Sequence, residues 1–224
     1  MTFSDNQHSL FPAPDGPTLR LELQSGGVVA GVDEVGRGPW AGPVAAAAVI
    51  LDPARIPPGI DDSKRLNKRR RERLHDEIMA AARAGHSQVG VGQASVEEVD
   101  RLNVLAASLL AMTRAIEALP APPDLVLIDG NQAPNNLPCP ARTIVKGDRI
   151  SLSIAAASIV AKVTRDKIMA ELAAEYPDYG WERNAGYGTR HHRDALHLVG
   201  ISPLHRKSFA PIRQLMTQES GLTD

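Results

Sequence analysis

The chain has 224 residues and a mass of 24.0 kDa, with 25 Lys and Arg against 26 Asp and Glu, a formal net charge of −1. That length suits one core-forming domain. The near-neutral balance excludes a global positive field, so any nucleic-acid contact must come from local patches. The single Cys139 excludes an internal disulfide and a multi-cysteine zinc site. No apolar run reaches the length of a bilayer span, and MTFSDNQHSLFPAPDGP lacks the basic start and apolar stretch of a signal peptide. A cytoplasmic protein with no membrane contact is expected.

Residues 1–22 mix Pro, Gly, Asp and Ser without periodicity and are expected to form a flexible lead-in. GGVVAGVDE and PVAAAAVIL (43–51) read as neighbouring central strands. From Ser63 the pattern turns helical, with Leu66, Leu74, Ile78 and Ala81 near one face. SQVGVGQ (87–93) is a further strand. Ser95 and Glu98 form a capping box that opens a helix carrying Leu102, Leu105, Leu109, Met112 and Ile116. PDLVLID (123–129) is a strand ending in an acid, and ARTIVKGD (141–148) repeats that arrangement. A small-residue helix, SIAAASIVAKVTRDKIMAELAAEY, follows. Beyond Tyr176 the chain is aromatic, basic and histidine-rich, and a flexible tail is expected over 217–224. Strands first, then strands alternating with helices, predict an α/β fold with a mixed sheet.

The chemistry concentrates in VAGVDEVGRGPWAGPV (29–44). Two carboxylates about 4 Å apart at an effective dielectric near 20 repel by roughly 4 kcal/mol, so Asp33 and Glu34 need a shared proton, a basic partner or a divalent metal. On a strand they point to opposite faces, so each can serve a different ion or edge. Asp129 and Asp148 add carboxylates at strand ends or in the loops just after them, as a hard-cation site requires. Taken singly, each acid could merely end a strand or cap a turn. The glycine loop is not a dinucleotide fingerprint, because Gly36, Gly38 and Gly42 are one residue too widely spaced and an apolar strand follows. Nor does it carry the Gly-Lys-Ser/Thr of a P-loop.

In order along the chain, VAGVDEVGRGPWAGPV, DDSKRLNKRRRERL, LVLIDGN, VKGD, SIAAASIVAKVTRD, GYGT and HRKSFAP resemble bacterial ribonuclease HII, the type 2 ribonuclease H family, over about 28–213. The resemblance implies a ribonuclease H-like mixed sheet flanked by helices, with a small C-terminal helical part. It implies a core over 23–182 and a basic substrate-binding part over 183–216. It also implies an endoribonuclease that uses two divalent ions, Mg2+ or Mn2+. The partners would be RNA–DNA hybrids and duplex DNA with an embedded ribonucleotide, in ribonucleotide removal and primer processing. By motif, Asp33, Glu34, Asp129 and Asp148 would be the catalytic metal ligands. Gly36, Arg37 and Gly38 would contact the ribose 2′-hydroxyl and neighbouring phosphate, Ser63 and Lys64 the backbone, and Tyr187 a sugar at the RNA–DNA junction. Asp166, four residues after Lys162, is better explained by an i,i+4 ion pair than as the fourth acid. Ala185 stands where the family pattern suggests lysine, and Trp40 where leucine is common.

Over 62–73 seven basic side chains face two acids, and over 183–213 six face one. Two such segments suit tracking a duplex, although most arginines of the first read as a solvated helix face. His191, His192 and His197 lack the i,i+4 spacing of a zinc pair and are expected at the surface or beside phosphate. No obligatory protein partner is evident, and a monomer is expected. The competing readings are a non-catalytic hybrid-binding protein and a resolvase-type nuclease of the same fold group.

Overall fold

A computed structural model of the chain describes residues 16–220, with side chains described as far as 217. Five strands, β1 (Val29–Val35), β2 (Val44–Leu51), β3 (Ser87–Ala94), β4 (Leu125–Asp129) and β5 (Ala141–Ile144), form one sheet in the order β3-β2-β1-β4-β5. β1 runs antiparallel to β2 and parallel to β4, and β5 continues the parallel half. The sheet is mixed, as expected. The period of two sends Ala30, Val32, Ala46, Ala48, Val126 and Ile128 to one face and Ala47, Val49 and Leu51 to the other.

Helix α3 (Val96–Leu102) and helix α4 (Val104–Glu117) cover the first face, through Val99, Ala107, Ala111, Met112, Ala115 and Ile116. Helix α2 (Lys68–Arg83) and helix α5 (Leu152–Glu175) cover the second, through Leu74, Ile78 and the Ala155–Ala161 stretch. The small residues of α5 let it approach β1 closely. At Gly31 an added Cβ would lie 2.1 Å from the Ser153 carbonyl carbon. A third cluster joins Ala41, Met169 and Ala173 to Tyr179, Trp181, Ala195, Leu196 and Ile212. It packs helix α6 (Trp181–Asn184), helix α7 (Arg190–Val199) and helix α8 (Ala210–Ser220) onto the far end of α5. This cluster straddles residue 182, where the core was expected to end.

In its secondary structure the chain departs from the sequence reading at five places. The helix expected from Ser63 starts at Lys68, because Asn67 caps it by accepting from Arg70 N–H, while Asp62 Oδ1 accepts from Lys64 N–H and holds 62–65 in a turn. The helix expected from Ser95 through Ile116 breaks at Asn103, whose φ of 71° and two accepted N–H groups start α4 afresh. Asp148 does not end a strand. It lies in a 3-10 turn, Gly147–Arg149, after Lys146 at φ 59°. Of the expected lead-in, 1–15 lie outside the described residues, and helix α1 (Arg20–Ser25) begins before residue 22. Of the expected tail, α8 extends through Ser220, and 221–224 lie outside the described residues. Among the described residues, no helix is long and apolar enough to cross a membrane.

Candidate active site

The parallel pairing of β1 with β4 ends with Val32 beside Ile128, so Asp33 and Asp129 stand next to each other where that pairing stops, on the same face. Glu34 points to the opposite face, where a cavity of about 190 Å³ is lined by Glu34, Arg37, Ser108, Asp129 and Gly130. Asp148 joins the pair from its turn. Gly147 N–H donates to Asp129 Oδ1 at 2.7 Å and so couples the turn to β4. Asp33 is buried, and its carboxyl is pushed well up by burial, then by Glu34, Asp129 and Asp148. Burial also raises Glu34, with Asp129 adding to it, against the lowering effect of Arg37, whose Nη1 lies 3.5 Å from Glu34 Oε1. Asp148 is raised by burial and by Asp129 and Asp62, opposed by Lys64 and Arg149.

Lys64 supplies positive charge to this cluster, its Nζ 3.7 Å from Asp148 Oδ2. Desolvation works against its proton, yet Asp33, Asp148, Asp62 and Asp129 together raise its pKa. Ser63, next to it, is buried. Its N–H donates to Ser158 Oγ at 3.3 Å, and its carbonyl accepts from Arg71 Nη1 at 2.7 Å. Arg71 therefore braces this turn rather than lying on a solvated face.

Four carboxylates, Asp33 and Asp148 buried and Glu34 and Asp129 half-buried, have the chemistry of a divalent-cation site, because a dication would relieve the repulsion among them. Among the described residues no three His, Cys, Asp or Glu side chains are grouped so as to hold a metal ion as they stand. The acids form an open cluster, and they fit a hard cation by donor type.

The loop after β1 meets Tyr187. A Cβ on Gly38 would lie 3.2 Å from Tyr187 Cε1, and the tyrosine is 47% exposed. Gly36 has φ +95°, and a Cβ there would meet Arg165 Nε at 2.3 Å, so the loop rests directly on that guanidinium. Arg37 thus lines the Glu34 cavity, and the residue after it, Gly38, lies against Tyr187. Lys162 and Asp166 form the expected ion pair at 2.7 Å on α5, and Asp166 takes no part in the acid cluster.

Sequence reasoning missed what holds this loop. Arg165 and Arg206 are fully buried, with no carboxylate partner among the described residues. Arg206 donates twice to the Gly42 carbonyl and once each to those of Arg37 and Pro39. Arg165 donates to the carbonyls of Pro43, Ala41 and Ala185, bridging the glycine loop to the Tyr187 loop. Burial lowers their pKa values to about 10 for Arg165 and about 9 for Arg206, where the Arg165 charge adds to it. Both therefore stay charged at neutral pH. Ala185 contributes its carbonyl from a left-handed conformation at φ 49°. The Trp40 ring packs against Gly188 and His192, and the Trp40 backbone N–H donates to the Gly186 carbonyl at 2.8 Å.

The histidine expectation is corrected for His192, which is buried in the third cluster. His191 and His197 are exposed. Ser202 N–H donates to His205 Nδ1 at 3.0 Å, so the His205 proton sits on Nε2 and donates to His192 Nε2 at 2.9 Å. That nitrogen also accepts from Trp181 Nε1–H at 3.2 Å, which leaves His192 Nδ1–H to donate to the Tyr187 carbonyl at 3.0 Å. Two neutral imidazoles thus tie Tyr187 to the C-terminal core.

A mixed five-stranded sheet with helices on both faces, carrying acids at the ends of its central parallel strands, defines a nuclease of the ribonuclease H-like class. The chain belongs to the ribonuclease HII family, whose model matches residues 30–212. It is 58% identical over 204 residues to ribonuclease HII of Paramagnetospirillum magneticum, covering 89% of this chain and 98% of that one. Its fold is similar to the crystal structure of ribonuclease H2 from Pyrococcus horikoshii, at TM-score 0.70 and 25% identity, over 88% of this chain and 99% of that one. It is also similar to the ribonuclease HII in a complex with PCNA from Archaeoglobus fulgidus, at TM-score 0.62 and 25% identity, over 80% and 93%. The protein is a ribonuclease, a hydrolase. Membership of this family implies endoribonuclease activity on RNA–DNA hybrids and dependence on divalent metal.

Proposed function

We propose that the protein cuts the RNA strand of RNA–DNA hybrids and also incises duplex DNA at single embedded ribonucleotides, leaving 3′-hydroxyl and 5′-phosphate ends. It would act as a cytoplasmic monomer in ribonucleotide removal and primer processing, without an obligatory protein partner. The observation that carries this reading is that two different devices adjoin, linked by the ion pair of Glu34 with Arg37. One is the acid cluster of Asp33, Glu34, Asp129 and Asp148, and the other is the Gly36-Arg37-Gly38 loop facing Tyr187.

The four acids would hold two divalent ions, Mg2+ or Mn2+. When bound, these would activate water and stabilise charge on the leaving oxygen. The residues of the chain do the rest. Backbone groups around Gly36 and Gly38 can approach a ribose because no side chain intervenes, and the 2′-hydroxyl is what separates RNA from DNA. Arg37, half-exposed, can reach a phosphate while its carbonyl stays fixed by Arg206. Lys64 and Ser63 border the acids on the second side, suited to the adjoining backbone. Tyr187 offers an exposed ring that stacks without regard to base identity. With the 2′-hydroxyl recognised and not used as nucleophile, no exposed histidine pair is needed for metal-free cleavage.

The test is cleavage of a DNA duplex carrying one ribonucleotide, with and without manganese. Incision at the ribonucleotide, only with metal, is expected. Failure to cut this duplex while a long hybrid is cut would remove the single-ribonucleotide activity from the reading.

A further inference from the structure

The turn that carries Asp148 leads straight into α5, and a segment upstream of the stretch matched by the family model holds it there. Thr18 N–H donates to the Ile150 carbonyl at 3.0 Å, and Leu152 N–H returns a bond to the Thr18 carbonyl at 3.1 Å. One turn further on, α1 brings Glu22 down onto the same place. Glu22 Oε1 accepts from Ser151 Oγ at 2.6 Å and from Ser153 N–H at 3.0 Å. Ser151 is itself the cap of α5, accepting from Ile154 N–H at 3.1 Å, and its own N–H donates to the Gly147 carbonyl at 2.8 Å. Gly147 N–H in turn holds Asp129. An unbroken chain of hydrogen bonds therefore runs from Glu22 through Ser151 and Gly147 to Asp129, with Asp148 next to Gly147.

Glu22 is buried, and its second oxygen, Oε2, has no hydrogen-bond partner among the described residues. Burying a carboxylate oxygen in this way is unfavourable. A helix cap alone does not require it, because Ser151 already caps α5. A carboxylate fixed at a helix N-terminus is favourably placed against the helix dipole and holds the first turn rigid.

We propose that Glu22 is a positioning residue for the metal-binding acids, acting through Ser151 and Gly147 on Asp148 and Asp129. This rests on the reading of those acids as a divalent-cation site. Groups behind the ligands of a metal site typically change metal affinity when lost, by about tenfold or more.

The test is calorimetric titration of Mn2+ into the full-length parent and into Glu22→Ala and Glu22→Gln. Alongside it, the Mn2+ concentration that half-saturates cleavage and kcat at saturating Mn2+ are measured. Glu22→Ala is expected to bind Mn2+ about tenfold more weakly, with kcat recovering at high metal. Glu22→Gln keeps one oxygen to accept from Ser151 and Ser153 and is expected to restore most of the affinity. If Glu22→Ala does not fold, Glu22→Asp takes its place. It keeps the charge but is one methylene short of both donors, and weaker Mn2+ binding is again expected. Parental Mn2+ affinity in a folded Ala or Asp variant would overturn the proposal and leave Glu22 a structural cap. A parent that binds no Mn2+ would instead overturn the cation-site reading on which the proposal rests.

Discussion

Arg206→Met tests whether the buried guanidinium sets the position of the glycine loop. The substitution keeps an unbranched side chain of similar reach but removes four hydrogen bonds to three backbone carbonyls, those of Arg37, Pro39 and Gly42. Each buried carbonyl left without a donor costs about 1–3 kcal/mol, and removing a buried charge recovers part of its desolvation cost. Taking the lower figure for each of the three, the net loss is on the order of 3 kcal/mol. A domain of this size has about 5–15 kcal/mol of stability, so the variant should fold with a loosened loop. Urea denaturation gives the stability, and incision of a single-ribonucleotide duplex gives kcat/KM. Turnover should fall well beyond any change in affinity for an all-DNA duplex, since Arg37 and Gly38 lose their fixed position. Arg206→Lys should recover only part, because one ammonium cannot span all three carbonyls. A Met variant with parental stability and parental incision would refute the reasoning.

Lys64→Ala should flatten the log–log salt dependence of duplex binding by about one unit if Lys64 contacts a phosphate. An unchanged slope would confine Lys64 to balancing the charge of Asp148. Gly38→Ala pushes a methyl to 3.2 Å from the Tyr187 ring, and should lower incision at a single ribonucleotide far more than it lowers DNA affinity. Tyr187→Ala should lose discrimination at the RNA–DNA junction while Mn2+ binding by calorimetry stays intact. If both variants cut like the parent, this loop does not read the 2′-hydroxyl. For pH, burial and then His192 depress His205 from 6.5 to about 4, and burial also depresses His192. The unfolded chain then binds protons that the folded chain refuses, so stability is complete above pH 6.5 and falls as pH drops toward 4. The His205 shift alone is worth about 3 kcal/mol. Thermal melts across that window should show the loss, and His205→Gln should reduce it. Because the raised acids act in the opposite direction, the comparison decides: a His205→Gln variant whose melting temperature falls as steeply as the parent's from pH 6.5 to 4 would contradict the neutral imidazole pair.

The sheet was legible in the sequence because its signals are local. The continuous apolar runs PVAAAAVIL and those ending in Asp33 and Asp129 need only the residue preference of a buried strand and the habit of acids to lie near strand ends. Two helix boundaries escaped because single polar residues overrode the apolar pattern. Asn67 moved the start of α2, and Asn103 split α3 from α4, each by capping backbone N–H groups with its side chain. Lys162 with Asp166 could be paired from spacing alone, and the pair is present. Arg165, one residue before that acid, could not be interpreted, because its partners are carbonyls from residues 41, 43 and 185. Arg206 and the His192–His205 pair were hidden in the same way. In a linear count of charges they look like solvated or phosphate-facing groups, and only tertiary packing turns them inward. Glu22 lies in a stretch without periodicity, where nothing local marks its target 129 residues away.

The central claim is that the acids at the ends of β1 and β4 hold the metal that cuts the strand. Asp129→Asn keeps volume and shape and removes one charge, and its side-chain oxygen can still accept from Gly147 N–H. Mn2+ titration by calorimetry, circular dichroism and incision of a single-ribonucleotide duplex should be measured on the same sample. The account predicts an unchanged fold, weakened Mn2+ binding and abolished incision. An Asp129→Asn protein that binds Mn2+ and incises like the parent would contradict it.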